Sequence, residues 1–229
     1  KPPLFEVGPK AYMCGSEMFK LAEQCDLMSR KYDVSIILTP QSIDIRGCAE
    51  RTSDLFVFAQ HMDPIKKGRG LGSILPDAVK EAGAKGVMLN HAEKPINYST
   101  LEATIARAKE LDLLTIACAN TLTEGRAIAL LGPDAIIVEN PLSIGTGIPF
   151  SVEACEEIIA EVKKVNPDVF VFPGAGIKNG QDVYNVMISG ADGTGSTSGI
   201  MNAEDQFAML EEMIKACRDG WETAHPNEK

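Results

Sequence analysis

One pattern repeats along the whole chain and constrains its fold more than any other feature. Short runs of apolar, often β-branched residues alternate with longer segments in which Leu and Ile recur three and four positions apart. The short runs predict buried strands and the longer segments predict amphipathic helices. Strands that alternate with helices are typical of a parallel sheet. Seven strand candidates are clear and the last is weak: 4–7, 34–38, 55–59, 86–89, 114–117, 135–138, 169–172 and 192–197.

The number of these units favours a single α/β domain, a (β/α)8 barrel over residues 1–229. Eight units in 229 residues leave about 29 residues each, and no linker divides the series. An open, doubly wound sheet would show the same alternation, but it usually has a glycine-rich turn after its first strand, and Gly8-Pro9-Lys10 is no such turn. Ser151 and Thr123 are candidate helix N-caps. The predicted helices are 16–31, 98–110, 123–130, 152–165, 181–189 and 203–219.

The overall charge limits the partners that the chain can have. A formal net charge of −10 argues against binding to nucleic acids or anionic membranes, because both need a basic surface. A phosphorylated substrate would therefore need a local positive site. The start of the sequence has no apolar signal region, and no run of 18 apolar residues follows. We therefore expect a cytoplasmic protein without a membrane span.

Cysteine and histidine spacing gives no sign of a metal centre or a cofactor. No two cysteines form a C-x-x-C motif, and none of the three histidines has metal-ligand spacing. A chain of this length does not need disulfides for stability, so we expect reduced thiols. We predict neither a metal nor a cofactor. The six cysteines are Cys14, Cys25, Cys48, Cys118, Cys155 and Cys217.

Polar residues at the ends of three predicted strands are the candidates for chemistry. In a (β/α)8 barrel the active site is built from the loops that follow the strands. Lys10 follows the first strand, Asn90-His91-Ala92-Glu93 follows the fourth, and a glycine-rich segment that begins with Glu139 follows the sixth. Each residue also has an ordinary interpretation: a surface lysine, a hydrogen-bonded histidine, a helix-start acid or a solvated loop acid.

Three motifs together resemble the triosephosphate isomerase family in its compact archaeal-type form. They are N-H-x-E at 90–93, E-x-P-x-x-I-G-T-G at 139–147 and G-A-G-I at 174–177. The resemblance implies a TIM barrel that interconverts dihydroxyacetone phosphate and glyceraldehyde 3-phosphate without a cofactor, in glycolysis and gluconeogenesis. It also implies a homo-oligomer, a dimer or a tetramer.

The resemblance assigns a role to each strand-end residue. Glu139 would be the base that removes a proton from the carbon next to the substrate carbonyl, and 140–147 would form a closing loop. His91 would polarise the carbonyl as a neutral imidazole. Lys10 would attract the phosphate and stabilise an enediolate, and Glu93 would pair with Lys10 and hold it in place.

In a chain this acidic, main-chain N–H groups are suitable donors to a substrate phosphate. Glycine-rich turns and helix N-termini present such groups. The resemblance places the phosphate in the closing loop and in the loops after strands seven and eight, although any one of these glycines could simply make a tight turn. The candidates are Gly145, Gly174, Ala175, Gly176, Ser198 and Gly199.

The chain departs from the family pattern at several positions. Gly8 stands where the family has a substrate-contacting Asn, and Ala92 and Asn140 replace a Ser and a Pro. The third loop, 63–73, contains G-R-G-L-G where the family has a subunit-interface segment. The predicted eighth strand is unusually rich in glycine, and its role is open.

These departures leave two alternatives to a triosephosphate isomerase. Loss of the Asn side chain would permit a larger substrate, such as a four-carbon ketose phosphate. Loss of pocket residues would also fit a catalytically silent barrel that binds a phosphorylated metabolite or a partner.

Overall fold

The computed structural model describes residues 1–139, 148–174 and 176–226, and the fold in these ranges is a (β/α)8 barrel. Eight strands pair in parallel in the order β7-β6-β5-β4-β3-β2-β1-β8. All eight predicted strands are confirmed, including the weak eighth. Their bounds are β1 Leu4–Val7, β2 Ser35–Leu38, β3 Phe56–Ala59, β4 Gly86–Leu89, β5 Leu114–Ala119, β6 Ala135–Glu139, β7 Phe170–Gly174 and β8 Gly193–Ser196.

Strands β7 and β8 close the barrel with contacts other than a regular ladder. The Asp192 N–H donates to the Val171 carbonyl at 3.3 Å, and the Val171 N–H donates to the Asp192 carboxylate at 2.9 Å. Pro173, two residues after Val171 in β7, also faces β8, but it has no N–H to donate. The Thr194 hydroxyl instead donates to the Pro173 carbonyl at 2.9 Å. The missing proline donor and the side-chain bonds of Asp192 and Thr194 together replace a regular ladder along this seam.

The helices pack around the outside of the barrel. The six predicted helices are confirmed with bounds shifted by a few residues, and three short ones, at 45–49, 76–81 and 198–201, were not predicted. Among the described residues the helices are α1 Ser16–Tyr32, α2 Ile45–Ala49, α3 Pro76–Glu81, α4 Tyr98–Glu110, α5 Leu122–Ala129, α6 Val152–Lys163, α7 Gly180–Met187, α8 Ser198–Met201 and α9 Gln206–Ala224.

One of the two predicted N-caps is correct. The Ser151 hydroxyl accepts a hydrogen bond from the Ala154 N–H at the start of α6. Thr123 is wrong, because it lies inside α5. The cap of that helix is Thr121, whose hydroxyl accepts from the Glu124 N–H. Thr121 has the extended backbone of an N-cap, so the helix begins one residue earlier than predicted.

Two apolar layers form the core, because successive strand side chains point to opposite faces. One layer lies between the strands and the surrounding helices and includes Phe5, Val7, Val171 and most buried helix residues. The other fills the barrel interior. Its buried members are Leu4, Ile37, Phe58, Met88, Ile116, Cys118, Ala135, Ile137 and Phe172.

The glycines of β8 have a packing reason. A Cβ at Gly193 would lie 2.6 Å from the Leu4 carbonyl oxygen and 3.0 Å from the Phe172 ring. A Cβ at Gly195 would lie 2.9 Å from the Cβ of Glu6 and 2.9 Å from its Oε2. Side chains of β1 and β7 therefore occupy the interior volume beside β8, and glycine is what fits there.

Two further sequence predictions concern features that the fold can report. The six cysteines form no disulfide; Cys14 is exposed and the other five are buried. Within the described ranges, none of the helices has the length and apolar character required to cross a membrane.

Candidate active site

A cavity of about 460 Å³ opens at the carboxyl ends of the strands. Met88, Ile137 and Phe172 belong both to its lining and to the barrel-interior layer, so the cavity lies directly above that apolar layer. Most of the predicted site residues that the structure describes line this one cavity. They are Lys10, His91, Glu93, Glu139, Gly174, Gly176 and Ser198.

Lys10 is held at the cavity by its backbone as well as by its side chain. Its φ of 47° lies in the left-handed region, which side-chain-bearing residues adopt rarely. The side-chain amides of Gln41 and Gln60 donate to the Lys10 carbonyl at 2.7 and 2.8 Å. The Lys10 ammonium lies 2.6 Å from the Glu93 carboxylate, as the sequence predicted. This hydrogen bond lowers the pKa of Glu93, so Glu93 stays ionised and fixes the ammonium.

The His91 ring has a defined tautomer and lowered basicity. Its Nδ1 accepts a hydrogen bond from the Glu93 N–H at 3.1 Å, so in the neutral ring the proton is on Nε2. Burial lowers the pKa of His91, the positive charge of Lys10 lowers it further, and the Glu93 carboxylate opposes both. The net result is a neutral imidazole whose Nε2–H is free to donate.

The turn before His91 is anchored to the neighbouring strand. Asn90 has a φ of 60°, and its side-chain amide donates to the Cys118 carbonyl at 2.9 Å and to the Glu124 carboxylate at 3.1 Å. The side-chain oxygen of Asn90, Oδ1, accepts from the Ile96 N–H. These bonds fix the direction in which the imidazole enters the cavity.

Glu139 is the last residue of β6, and its carboxylate faces His91. Its Oε2 lies 3.8 Å from His91 Nε2, and only 19% of its side chain is exposed. Burial raises the pKa of Glu139; Lys10 partly offsets the increase and Glu93 adds to it. Gly174 on the adjacent strand leaves room, since a Cβ there would lie 3.2 Å from the Glu139 side chain.

This arrangement is suited to proton transfer. A carboxylate of raised pKa is a stronger base than a solvated one, and a neutral imidazole and an ammonium beside it can stabilise negative charge that develops on oxygen. Residues with shifted pKa values in one cleft often mark a functional site. Among the residues that the structure describes, no group of three or more His, Cys, Asp or Glu could hold a metal ion.

The proposed phosphate donors are partly within the described structure. Gly174, Gly176 and Ser198 line the cavity, and Gly176 has a φ of 76° that favours glycine. Gly199 lies next to Ser198, and a Cβ on it would meet the Ile177 carbonyl oxygen at 2.7 Å. Gly145 and Ala175 lie outside the described residues, and so does the predicted closing loop, 140–147.

The cavity residues that the sequence analysis missed include Glu6, Thr39, Gln41 and Gln60. Gln41 and Gln60 position the Lys10 backbone, and Thr39 donates a hydrogen bond to Glu6. Two of them could have been proposed from their position, because Thr39 and Gln60 directly follow the apolar runs of β2 and β3. Glu6 lies inside a strand, where a polar residue gave no sign that it faced the cavity.

A carboxylate base, a neutral imidazole and an ammonium surround one cavity of the barrel. The fold and the site therefore define the class of the protein: a (β/α)8-barrel enzyme that catalyses proton transfer. A family model described as triosephosphate isomerase matches residues 7–217. Over 217 residues the chain is 40% identical to a protein named triosephosphate isomerase from Methanothermus fervidus, covering 93% of this chain and 97% of that one. It is 36% identical over 220 residues to the one from Sulfolobus acidocaldarius, covering 94% and 95% respectively. The chain belongs to the triosephosphate isomerase family.

Proposed function

We propose that the protein interconverts dihydroxyacetone phosphate and glyceraldehyde 3-phosphate. Family membership and the similarity to proteins named triosephosphate isomerase support this substrate pair. The observation that carries the proposal is the pairing of the Glu139 carboxylate with the His91 imidazole across 3.8 Å in a partly enclosed cavity.

Each residue of the pair has one task in this reaction. Glu139 removes a proton from the carbon next to the carbonyl, and the electron pair moves onto the carbonyl oxygen to give an enediolate. The Nε2–H of His91 stabilises that oxygen and transfers a proton between the two substrate oxygens. Glu139 then returns its proton to the neighbouring carbon. Lys10 stabilises the negative charge of the enediolate and of the phosphate.

The phosphate is proposed to bind at the loops after β7 and β8, through main-chain N–H groups at Gly174, Ala175, Gly176, Ser198 and Gly199, with Gly145 completing the site. The presence of three of these residues in the cavity lining supports this. Replacing Ser198 by Asp should raise KM strongly by charge repulsion, whereas Ser198→Ala should change KM only slightly. Equal KM values for the two variants would contradict this placement.

A triose phosphate is favoured over a four-carbon substrate. The argument for a larger substrate was the space left by Gly8, but the Glu6 carboxyl lies in that space: a Cβ at Gly8 would be 2.8 Å from Glu6 Oε1. A coupled assay over three- to five-carbon sugar phosphates tests this, and we expect the highest kcat/KM with the triose phosphates. Higher kcat/KM with a four-carbon ketose phosphate would favour the alternative, and binding without turnover would establish a silent barrel.

We also propose a homo-oligomer that assembles through the third loop. Leu71 in this loop is fully exposed, and the loop is fixed at its base, where the Asp63 carboxylate accepts from the Ile74 N–H at 2.7 Å. This loop stands where the family has its subunit-interface segment, and contact with another subunit would bury its exposed apolar side chain. Sedimentation of a single 24.6 kDa species at micromolar concentration would contradict the proposal. The cytoplasmic location stays a prediction.

A further inference from the structure

Glu6 is a buried acid in the inner wall of the barrel. It lies in the middle of β1, is only 7% exposed and lines the same cavity as Lys10, His91 and Glu139. Its Oε1 accepts a hydrogen bond from the Thr39 hydroxyl at 2.9 Å. That is its one hydrogen bond among the described residues, so Oε2 keeps its hydrogen-bonding capacity for another group.

Two glycines make room for this carboxyl. An ideal Cβ at Gly8 would lie 2.8 Å from Glu6 Oε1, and one at Gly195 would lie 2.9 Å from Oε2. Real Cβ atoms do not approach other atoms this closely, so any side chain at either position would have to displace the acid. The Glu6 carboxyl therefore occupies the volume that a side chain at the end of β1 would otherwise use.

We propose that Glu6 is a substrate-binding residue whose carboxyl group, held between Gly8 and Gly195, donates a hydrogen bond to a substrate oxygen. This inference rests on the proposed isomerase function and names a substrate contact that the three motifs do not contain. Glu6 lies within β1, two residues before Gly8. Gly8 is the position at which the family has a substrate-contacting Asn.

The surroundings of Glu6 favour the protonated acid at neutral pH. Burial raises its pKa to about 8; the Thr39 hydrogen bond and the Lys10 charge oppose this increase, and the Glu139 charge adds to it. Cys118 on β5 also faces Glu6, whose charge is one cause of the raised pKa of that thiol. From the fourth loop, His91 and Glu93 line the same cavity.

Protonation decides what Glu6 can do. Because Oε1 accepts from Thr39, the acid proton belongs on Oε2, which is then a donor to a carbonyl, hydroxyl or enediolate oxygen. Above pH 8 the carboxylate would lose this donor and would place a second negative charge beside Glu139 and an anionic substrate. Binding and turnover should therefore weaken together as Glu6 ionises.

The first test is the pH dependence of kcat/KM for the wild type, Glu6→Gln and Glu6→Leu with dihydroxyacetone phosphate. Gln keeps a donor and an acceptor but does not ionise, so we expect activity within about threefold of wild type at pH 7 and a smaller loss above pH 8. Leu removes the hydrogen bond, and we expect a loss of about 10- to 100-fold at pH 7. Thermal unfolding shows whether Glu6→Leu is folded; Glu6→Gln carries the test if it is not.

Two results would overturn the inference. One is an alkaline limb in Glu6→Gln identical to that of the wild type. The other is a folded Glu6→Leu variant with wild-type kcat/KM. A purely structural role for Glu6 would change the melting temperature without shifting the pH profile.

A binding measurement separates this inference from the proposed function. Calorimetric titration with 2-phosphoglycolate, a two-carbon phosphate with a carboxylate that can accept from Glu6, needs no turnover. We expect affinity for the wild type to fall between pH 7 and pH 9.5 by about tenfold more than for Glu6→Gln. If the wild type shows this fall but does not isomerise triose phosphates, the proposed function fails and the Glu6 contact stands. Isomerisation with equal pH dependence of binding in both proteins would refute the contact alone.

The glycine at position 8 gives a second, independent test. Gly8→Asn should lower kcat/KM in the wild type, because its Cβ displaces the Glu6 carboxyl, and should lower it less in a Glu6→Ala background, where only the Thr197 hydroxyl, 2.9 Å from such a Cβ, still has to move. Equal effects of Gly8→Asn in the two backgrounds would contradict the shared use of this volume.

Discussion

Replacing Glu6 by Gln should change how the stability of the protein depends on pH. The carboxyl has an ordinary pKa of 4.5, which applies to the unfolded chain, and the fold raises it to about 8. Between these values the folded state holds a proton that the unfolded state has lost, so the wild-type free energy of unfolding falls as pH rises. The slope from this group is at most about 1.4 kcal/mol per pH unit, or about 5 kcal/mol over the whole interval.

Urea unfolding of both proteins between pH 5 and pH 8.5 measures this effect. The free energy of unfolding of Glu6→Gln, relative to the wild type, should rise steadily up to about pH 8 and then level off. Glu93→Gln is the matched control: because the pKa of Glu93 is lowered by Lys10, its contribution is complete above pH 5 and lost only in acid. A flat difference for Glu6→Gln would show that Glu6 is ionised in the folded protein and would refute the reasoning.

Three further predictions concern single contacts. Glu93→Gln should lower kcat/KM by about tenfold through a less well-placed Lys10, while unfolding free energy at pH 7 changes by no more than about 1 kcal/mol; a kinetically silent variant would contradict this. Thr121→Ala removes an N-cap and should lower the free energy of unfolding, measured in urea, by about 1 kcal/mol, whereas Thr123→Ala should lower it by less than about 0.5 kcal/mol. Equal losses in the two variants would contradict the assignment of Thr121 as the cap. Gly176→Ala should destabilise the protein by at least about 1–3 kcal/mol, because of its φ of 76° and because a Cβ there would lie 2.3 Å from the Ile148 carbonyl oxygen; an unchanged melting temperature would contradict that.

The strands could be predicted where a buried run is apolar and β-branched, and the eighth shows where this signal fails. The inward positions of β8 are Gly193 and Gly195, because Leu4, Phe172 and Glu6 fill the volume beside them. A search for apolar residues fails to detect such a strand, because side chains of the neighbouring strands fill the space that its own inward side chains would take. The glycines that made this strand uncertain are a consequence of barrel packing.

The sequence predicts the site residues that lie at strand ends, but it does not predict those whose role depends on contacts with distant parts of the chain. Lys10, His91 and Glu139 lie at the ends of the apolar runs of β1, β4 and β6, and the family motifs include His91 and Glu139. Gln60 positions Lys10, 50 positions away, by a hydrogen bond to its backbone carbonyl. Glu6 faces the cavity because of the register in which β1 pairs with β2 and β8. Both depend on contacts between distant parts of the chain, which one sequence does not contain.

The central claim is that Glu139 takes a proton from the carbon next to the substrate carbonyl. Proton NMR of dihydroxyacetone phosphate in D₂O with the purified protein follows this step directly, because the removed proton exchanges with solvent. The wild type should form glyceraldehyde 3-phosphate and incorporate deuterium, whereas a natively folded Glu139→Gln variant should do both at least about 10²- to 10⁴-fold more slowly. Wild-type rates of exchange and isomerisation in Glu139→Gln would contradict the account.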